Sequence, residues 1–348
     1  MNMNVSEKFF SASSELPSES AGPKLVSLFC GAGGLDLGFI NSGFDVVYAA
    51  DYDLSAVQTY NRNHAGKRAN QIDLLETSAA ELYQQAVIAP GLDGHIDGVI
   101  GGPPCQGFSR GNTGRCFSDP RNQLAVKYAE IVNYFFEHSK IKFFLFENVP
   151  EILASKNTEF LSMLREKLSE NFIIHEKEIN AANFGVPQQR HRYFIAGVSK
   201  HIDSTSFKFP EPTALTHKTV REAIHGLPEP IYYKKGCGEN DIPFHPNHWT
   251  MQPKSKRFLT GEMPTGGRSF IKLEWGKPSR TVAYGNREIH VHPEGHRRLS
   301  IYEAMQLQGF PKSYRLCGSL SAQVKQVSNA VPPPVATALA ESLKDLLF

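Results

Sequence analysis

The sequence contains no apolar run long enough to span a bilayer. Its opening, MNMNVSEKFFSASSELPSESAGPK, is Ser-rich and acidic where a secretory leader would be basic and then apolar. No membrane association is expected, and residues 1–23 read as a flexible leader on a cytoplasmic protein. Cysteine is scarce and scattered: Cys30, Cys105, Cys116, Cys237 and Cys317 include no Cys-x-x-Cys pair. Neither a disulfide framework nor a zinc knuckle fits that pattern. Internal repeats and long low-complexity tracts are also missing, and the overall formal charge is only +2. With 348 residues, 41% apolar and 21% charged, the chain is long enough for one large α/β domain and a smaller lobe.

The charge that exists is unevenly placed. Between residues 251 and 300, ten basic side chains, among them Arg268, Arg280 and Arg287, face four acidic ones. A local excess of this kind suits phosphate contacts, although a solvated basic face would look the same. His290, His292 and His296 in this stretch read as a polar turn or phosphate contact, and no metal is expected. From Lys24 to about Val198, short apolar runs alternate with amphipathic stretches, as in a doubly wound sheet. Strands are expected at 25–29, 45–50, 95–101, 142–148, 172–179 and 192–198, with helices at 34–42, 54–64, 120–138 and 157–170. Residues 200–298 turn rich in Pro, Gly, His and basic side chains, which marks a separate loop-rich lobe. Helical patterning returns at 300–307 and 334–347.

Three segments carry chemistry. LVSLFCGAGGLDLGF sets an apolar strand before Gly31, Gly33 and Gly34 and then a helix, a nucleotide-type arrangement that a NAD site or a structural turn would fit equally. Asp51 follows at the end of the next strand, where an acid commonly grips ribose hydroxyls, with Tyr52 beside it to stack on a base. GGPPCQGFSR puts Cys105 on a proline-stiffened loop at the carboxyl end of a strand, where a thiolate could act as a covalent nucleophile. KFFLFENVPEIL ends an apolar strand with Glu147 and Asn148. A partly desolvated carboxyl there could hold a proton near neutral pH and stabilise charge pushed into a ring.

With those segments in this order, and with VPQQRHRYFIAG, RLSIYEAMQLQGFP and KQVSNAVPPPVATALA following them, the chain resembles the cytosine-5 DNA methyltransferases of bacterial restriction-modification systems from about Lys24 onwards. The resemblance implies an α/β fold: a doubly wound, Rossmann-like methyltransferase sheet with a smaller loop-rich target-recognition domain. Residues 24–199 plus 322–348 would form the catalytic domain, 200–298 the target-recognition domain and 299–321 the hinge. It implies S-adenosyl-L-methionine as cofactor, with Phe29 near the adenine and Gly31, Gly33 and Gly34 facing the methionine part. Asp51 would hold the ribose, Tyr52 would pack on the base, and Asp73 would bind the adenine amino group, with Asn329 and Val331 closing the pocket. Cys105 would be the nucleophile, Glu147 the contact to N3 and the exocyclic amine, and Arg190 and Arg192 the arginine pair of the catalytic centre. DNA contacts would come from Gln106, Ser109, Arg268, Arg280, Thr281 and Arg287.

Duplex DNA is the implied partner, with a cognate restriction endonuclease as functional counterpart and no obligate protein subunit. Two departures stand out: Ser328 precedes Asn329 where the family usually has Gly, and Asp73 lacks its usual preceding Gly. A tRNA cytosine-5 methyltransferase and a catalytically inactive DNA-binding homologue are the alternatives. The long basic lobe, the absence of a Cys-Phe-Thr segment and the full catalytic set weigh against them.

Overall fold

The computed structural model describes residues 22–88, 95–104, 120–203, 207–260, 270–281 and 290–347, with backbone alone at 120–122. In chain order the first half forms β1 (Lys24–Leu28), α1 (Gly34–Asn41), β2 (Asp45–Asp51), α2 (Leu54–Asn63), β3 (Ala69–Gln71), α3 (Ala79–Val87) and β4 (Gly98–Gly101). It continues with α4 (Pro120–Ser139), β5 (Phe143–Asn148), α5 (Thr158–Ser169), β6 (Phe172–Asn180), β7 (Gln188–Gln189) and β8 (His191–Ser199). Seven strands build one sheet in the order β3-β2-β1-β4-β5-β8-β6. The first five positions are parallel, and β8 runs antiparallel to both β5 and β6. The order reverses at β1 and β4, so the carboxyl ends of these strands open a crevice where ligands of such sheets bind.

The central strands read as continuous apolar runs because both faces are covered. Alternate residues feed opposite cores: Leu25, Phe143 and Phe194 join α1 and the C-terminal helix, while Val26, Phe144 and Ile195 join α3, α4 and α5. Each large side chain buried this way contributes about 1.5–3 kcal/mol. At the opposite end of the sheet from the crevice, Asp97 ties three strands together. Its carboxylate accepts from the Lys24 amide at 2.8 Å and lies 2.9 Å from Lys142 Nζ.

The second half comprises α6 (Val220–Ile224), β9 (Ile231–Tyr232), β10 (Trp249–Thr250), α7 (Lys256–Thr260), β11 (Ser279–Arg280), α8 (Ile301–Leu307), α9 (Leu320–Asn329) and α10 (Pro333–Lys344). The helix α10 packs on α1, with Gly38 facing Ala336, and shares a core with Leu25. β11 pairs in parallel with β7, which joins the loop-rich segment to the chain entering β8. Part of the basic excess in this segment is spent internally. Arg297 is buried, donates to both Glu303 oxygens at 2.9 Å and to Glu229 at 2.8 Å, and so is not a phosphate contact. No described helix is long and apolar enough to cross a membrane.

Candidate active site

A cavity of about 420 Å³ lies at the carboxyl ends of β1, β2, β4 and β5 and is closed by the α9–α10 turn. That volume falls in the range for a small organic ligand. Of the residues expected to hold a cofactor, Phe29, Gly31, Asp51, Tyr52, Asp73, Asn329 and Val331 all line it. Gly33 and Gly34 are not on its wall and make close packing contacts. Gly33 is the left-handed N-cap of α1 (φ 79°) against His64, and Gly34 lets the Val331 carbonyl approach the helix start. A side chain at either position would drive α1 off its neighbours.

The loop between β1 and α1 is held by Asp51. One carboxylate oxygen accepts the Gly31 amide at 2.8 Å and the other the Asp53 amide at 2.8 Å, which fixes the two strand ends against each other. Burial raises the Asp51 pKa despite those bonds. Phe29, expected within the first strand, lies just beyond it with φ 55°, a left-handed conformation that is strained for a bulky side chain. Such strain is paid for by surrounding packing, and here it turns the ring toward the cavity wall.

Among the described residues, five carboxyl side chains line the cavity, Asp36, Asp51, Asp53, Asp73 and Glu147, against the two cations Arg192 and Lys325. Each cation is already engaged: Lys325 lies 3.1 Å from Asp53, and Arg192 Nε lies 3.0 Å from Glu147 Oε1. The surplus of negative charge suits a positively charged ligand. Asp36 and Lys325 escaped the sequence reading. Lys325 stands one helical turn before Asn329, the i, i+4 spacing that places both on one face. Asp36 left a different trace, an acid in a helix whose other positions except Asn41 are apolar or glycine.

Glu147 ends β5, is buried, and touches the same cavity from the side of Gly102, Pro103 and Pro104. Burial pushes its pKa up, while Arg192 and Arg190 pull it down; burial prevails. The group is thus poised to share a proton with a ligand. A side chain at Gly102 would meet Glu147 Oε2 at 2.8 Å, so the glycine permits the close approach of the two loops. Arg192 lines the cavity, and its Nη1 donates to the His191 carbonyl at 2.7 Å. Arg190 is absent from the cavity wall. It is 1% exposed and donates from Nη2 to the carbonyls of Ser328 and Ala330 at 2.8 and 2.9 Å, which pins the turn that carries Asn329. The Ser328 carbonyl therefore supports the pocket even though the residue departs from the usual glycine.

Among the residues expected to face DNA, Thr281 donates to the Gln189 carbonyl at 2.8 Å and Arg280 is exposed on β11 opposite Gln189. Gln188, fully buried, donates to the Leu307 carbonyl at 3.2 Å and is structural. Cys105, Gln106, Ser109, Arg268 and Arg287 lie outside the described residues. In the His-rich turn, His292, Glu294 and His296 bring potential ligand atoms within 4.8 Å of one another. His296 also lies 3.5 Å from Glu229, and His292 lies 3.9 Å from Glu303, so the turn belongs to the Arg297 network.

Comparison with known proteins joins these observations. The family model for C-5 cytosine-specific DNA methylases matches residues 23–345. The chain is 32% identical over 351 residues to the Type II methyltransferase M.FnuDI of Fusobacterium nucleatum, covering 93% of this chain and 95% of the relative. It is 33% identical over 340 residues to the Type II methyltransferase M1.HphI of Haemophilus parahaemolyticus, covering 91% and 86%. A crystal structure of a prophage-encoded DNA modification methyltransferase from E. coli superposes with a TM-score of 0.75 at 27% identity, covering 94% of this chain and 99% of that one. The Dnmt2 methyltransferase of S. pombe shares the fold, with a TM-score of 0.64 at 17% identity and coverage of 94% and 100%. An acid-rich cavity at the switch point of a seven-stranded sheet, the Glu147–Arg192 pair on its wall and a match across nearly the whole chain lead to one conclusion: this chain belongs to the C-5 cytosine-specific DNA methylases.

Proposed function

We propose that the protein uses S-adenosyl-L-methionine to methylate carbon 5 of a cytosine turned out of duplex DNA, with Cys105 as covalent nucleophile. The observation that carries this reading is that Glu147 and Arg192 line the same cavity as Phe29, Asp51, Tyr52 and Asp73, and that Pro104, the residue directly before Cys105, lines it too. One ligand from each side could therefore meet there. The residues present fit the cofactor: a surplus of carboxylates suits a sulfonium, and Asp51 keeps acceptor capacity for ribose hydroxyls beside the Gly31 amide. When bound, S-adenosyl-L-methionine supplies a methyl group on a positively charged sulfur.

The chain's own residues do the rest. Carbon 6 is inaccessible in a stacked duplex, so the target base must leave the helix, at a cost of a few kcal/mol that contacts from the loop-rich segment offset. We assign residues 200–298 to target recognition and 299–321 to the hinge. The Cys105 sulfur, as thiolate, bonds to carbon 6, and the electron pair of the 5,6 double bond moves into the ring. Glu147 hydrogen-bonds N3 and the exocyclic amine and holds the charge that arrives there, while Arg192 supports Glu147 and faces the ring. Carbon 5 then bonds to the methyl group as the methyl–sulfur bond breaks and leaves a neutral thioether; carbon 5 gives its proton to water, the 5,6 double bond re-forms and the Cys105 sulfur leaves carbon 6 as thiolate.

We further read the protein as the modification half of a Type II restriction system; its relatives M.FnuDI and M1.HphI are named Type II methyltransferases. Its methylation would protect host DNA from a cognate endonuclease. The test is methyl transfer to duplex DNA and to tRNA in parallel, followed by bisulfite mapping of the product. Conversion-resistant cytosines in one DNA sequence context are expected. Methylation of tRNA with none of DNA would overturn the assignment.

A further inference from the structure

Asp36 has no part in the mechanism above. It stands in the first turn of α1, is fully buried, and lines the cavity beside Ser27, Cys30 and Asp51. The Tyr60 hydroxyl donates to its Oδ1 at 3.1 Å and the Ser27 hydroxyl also favours the carboxylate, while Oδ2 has no partner within hydrogen-bond geometry among the described residues. Leaving such an atom unmet is costly, and sites that retain one commonly meet it with a ligand. Burial pushes the carboxyl pKa up to about 6 against the pull of the Ser27 and Tyr60 hydroxyls, and nearby Asp51 pushes it further.

Among the described residues, the surroundings of Asp36 supply no cation to answer it. From the β1–α1 loop comes the Cys30 thiol, which burial and Asp36 together push up; from β2 comes Asp51; from α2 comes Tyr60. Behind Tyr60, His64 stacks at 4.2 Å and meets the Tyr314 hydroxyl at 3.0 Å, and burial lowers its pKa to about 4, so it is neutral at physiological pH. What remains is a buried carboxyl open to an acid-rich cavity. A sulfonium carries charge but no N–H, whereas a primary ammonium has three donors and can satisfy Oδ2 as well as its charge.

We propose that Asp36 receives the primary ammonium group of the methyl donor's amino-acid portion, a contact that selects donors with an intact amino acid over uncharged adenosine thioethers. The proposal rests on the methyl-donor reading of the cavity. Isothermal titration of the full chain with three ligands tests it: S-adenosylmethionine, S-adenosylhomocysteine, which keeps the ammonium but has no sulfonium, and 5′-methylthioadenosine, which lacks the amino-acid portion. Asp36→Asn, nearly isosteric and able to keep the Tyr60 contact, is expected to weaken the first two by roughly tenfold or more and to change the third by less than about twofold.

The unaltered chain gives a second readout that needs no variant. Near pH 6, in buffers of differing ionisation enthalpy, S-adenosylhomocysteine should release protons on binding, because a cation beside Asp36 ionises it, and methylthioadenosine should not. Equal weakening of all three ligands would make Asp36 a purely structural residue, loss confined to S-adenosylmethionine would make the sulfonium its partner, and no loss would remove it from the contact. Each of these overturns the proposal. If the unaltered chain bound none of the three ligands, the methyl-donor reading itself would fall.

Discussion

At Gly102 one added methyl group would sit 2.8 Å from Glu147 Oε2, and the carboxylate has little freedom to yield because Arg192 lies 3.0 Å from its other oxygen. Gly102→Ala should therefore displace the acid or the loop that leads to Cys105. The expected result is a fall in kcat of about a hundredfold with a melting temperature close to the parent's, since an error near one ångström at a reacting group costs on that order. Steady-state kinetics beside a thermal melt would check it; unchanged kcat would mean that the approach of Gly102 to Glu147 has no catalytic consequence. Residues of this kind were legible when chemistry and position coincided, as with Asp51 and Glu147 at strand ends. Arg190 was harder to read. The Arg-x-Arg spacing groups it with Arg192, but it falls in the break between β7 and β8 and turns to the carbonyls of Ser328 and Ala330. Asp36 was missed because an isolated acid on a short helix ordinarily faces solvent.

The strands of the sheet were legible because burial on both faces leaves unbroken apolar runs, and LVSLF and FFLFEN announce themselves. Elements lacking that signature went unread: β3 is three residues, ANQ, with two exposed, and α9, LSAQVKQVSN, spaces its apolar residues among polar ones, Gln323 and Gln326, that hydrogen-bond inward. Where strands begin, Asp97 carries a measurable share of stability. Burial alone would raise its pKa, but the Lys142 ammonium and the Lys24 amide outweigh burial and hold it below the usual carboxylate range. A carboxyl lowered in the folded state stabilises fully above its unfolded pKa of about 3.9, and that contribution is lost as pH falls through the folded value. Asp97→Asn should cost about 2 kcal/mol at neutral pH, and its difference from the parent should shrink as pH drops below about 4. Chemical denaturation at several pH values reads this directly; a difference independent of pH would contradict the ionic role.

For the molecule as a whole, the topology brings the two halves of the site together. The glycine loop, Asp51 and Asp73 come from one side of the switch point, Glu147 from the other, and the α9–α10 turn returns from the far end of the chain to close the cavity. Sequence periodicity reached the sheet, and the order of the motifs reached the family, yet neither could say that β11 would pair with β7 and tie the loop-rich segment to the strand bearing Arg192. That pairing depends on residues 91 apart meeting, Ser279 with Gln188 and Arg280 with Gln189, largely through backbone. The central claim is that the sulfur of Cys105 bonds to cytosine beside this cavity. Duplex DNA carrying 5-fluorocytosine at the recognised position, incubated with the protein and S-adenosylmethionine, has no carbon 5 proton to lose and should trap an adduct that survives denaturing electrophoresis, with none from Cys105→Ser. Sustained methylation of ordinary DNA by Cys105→Ser would contradict the account.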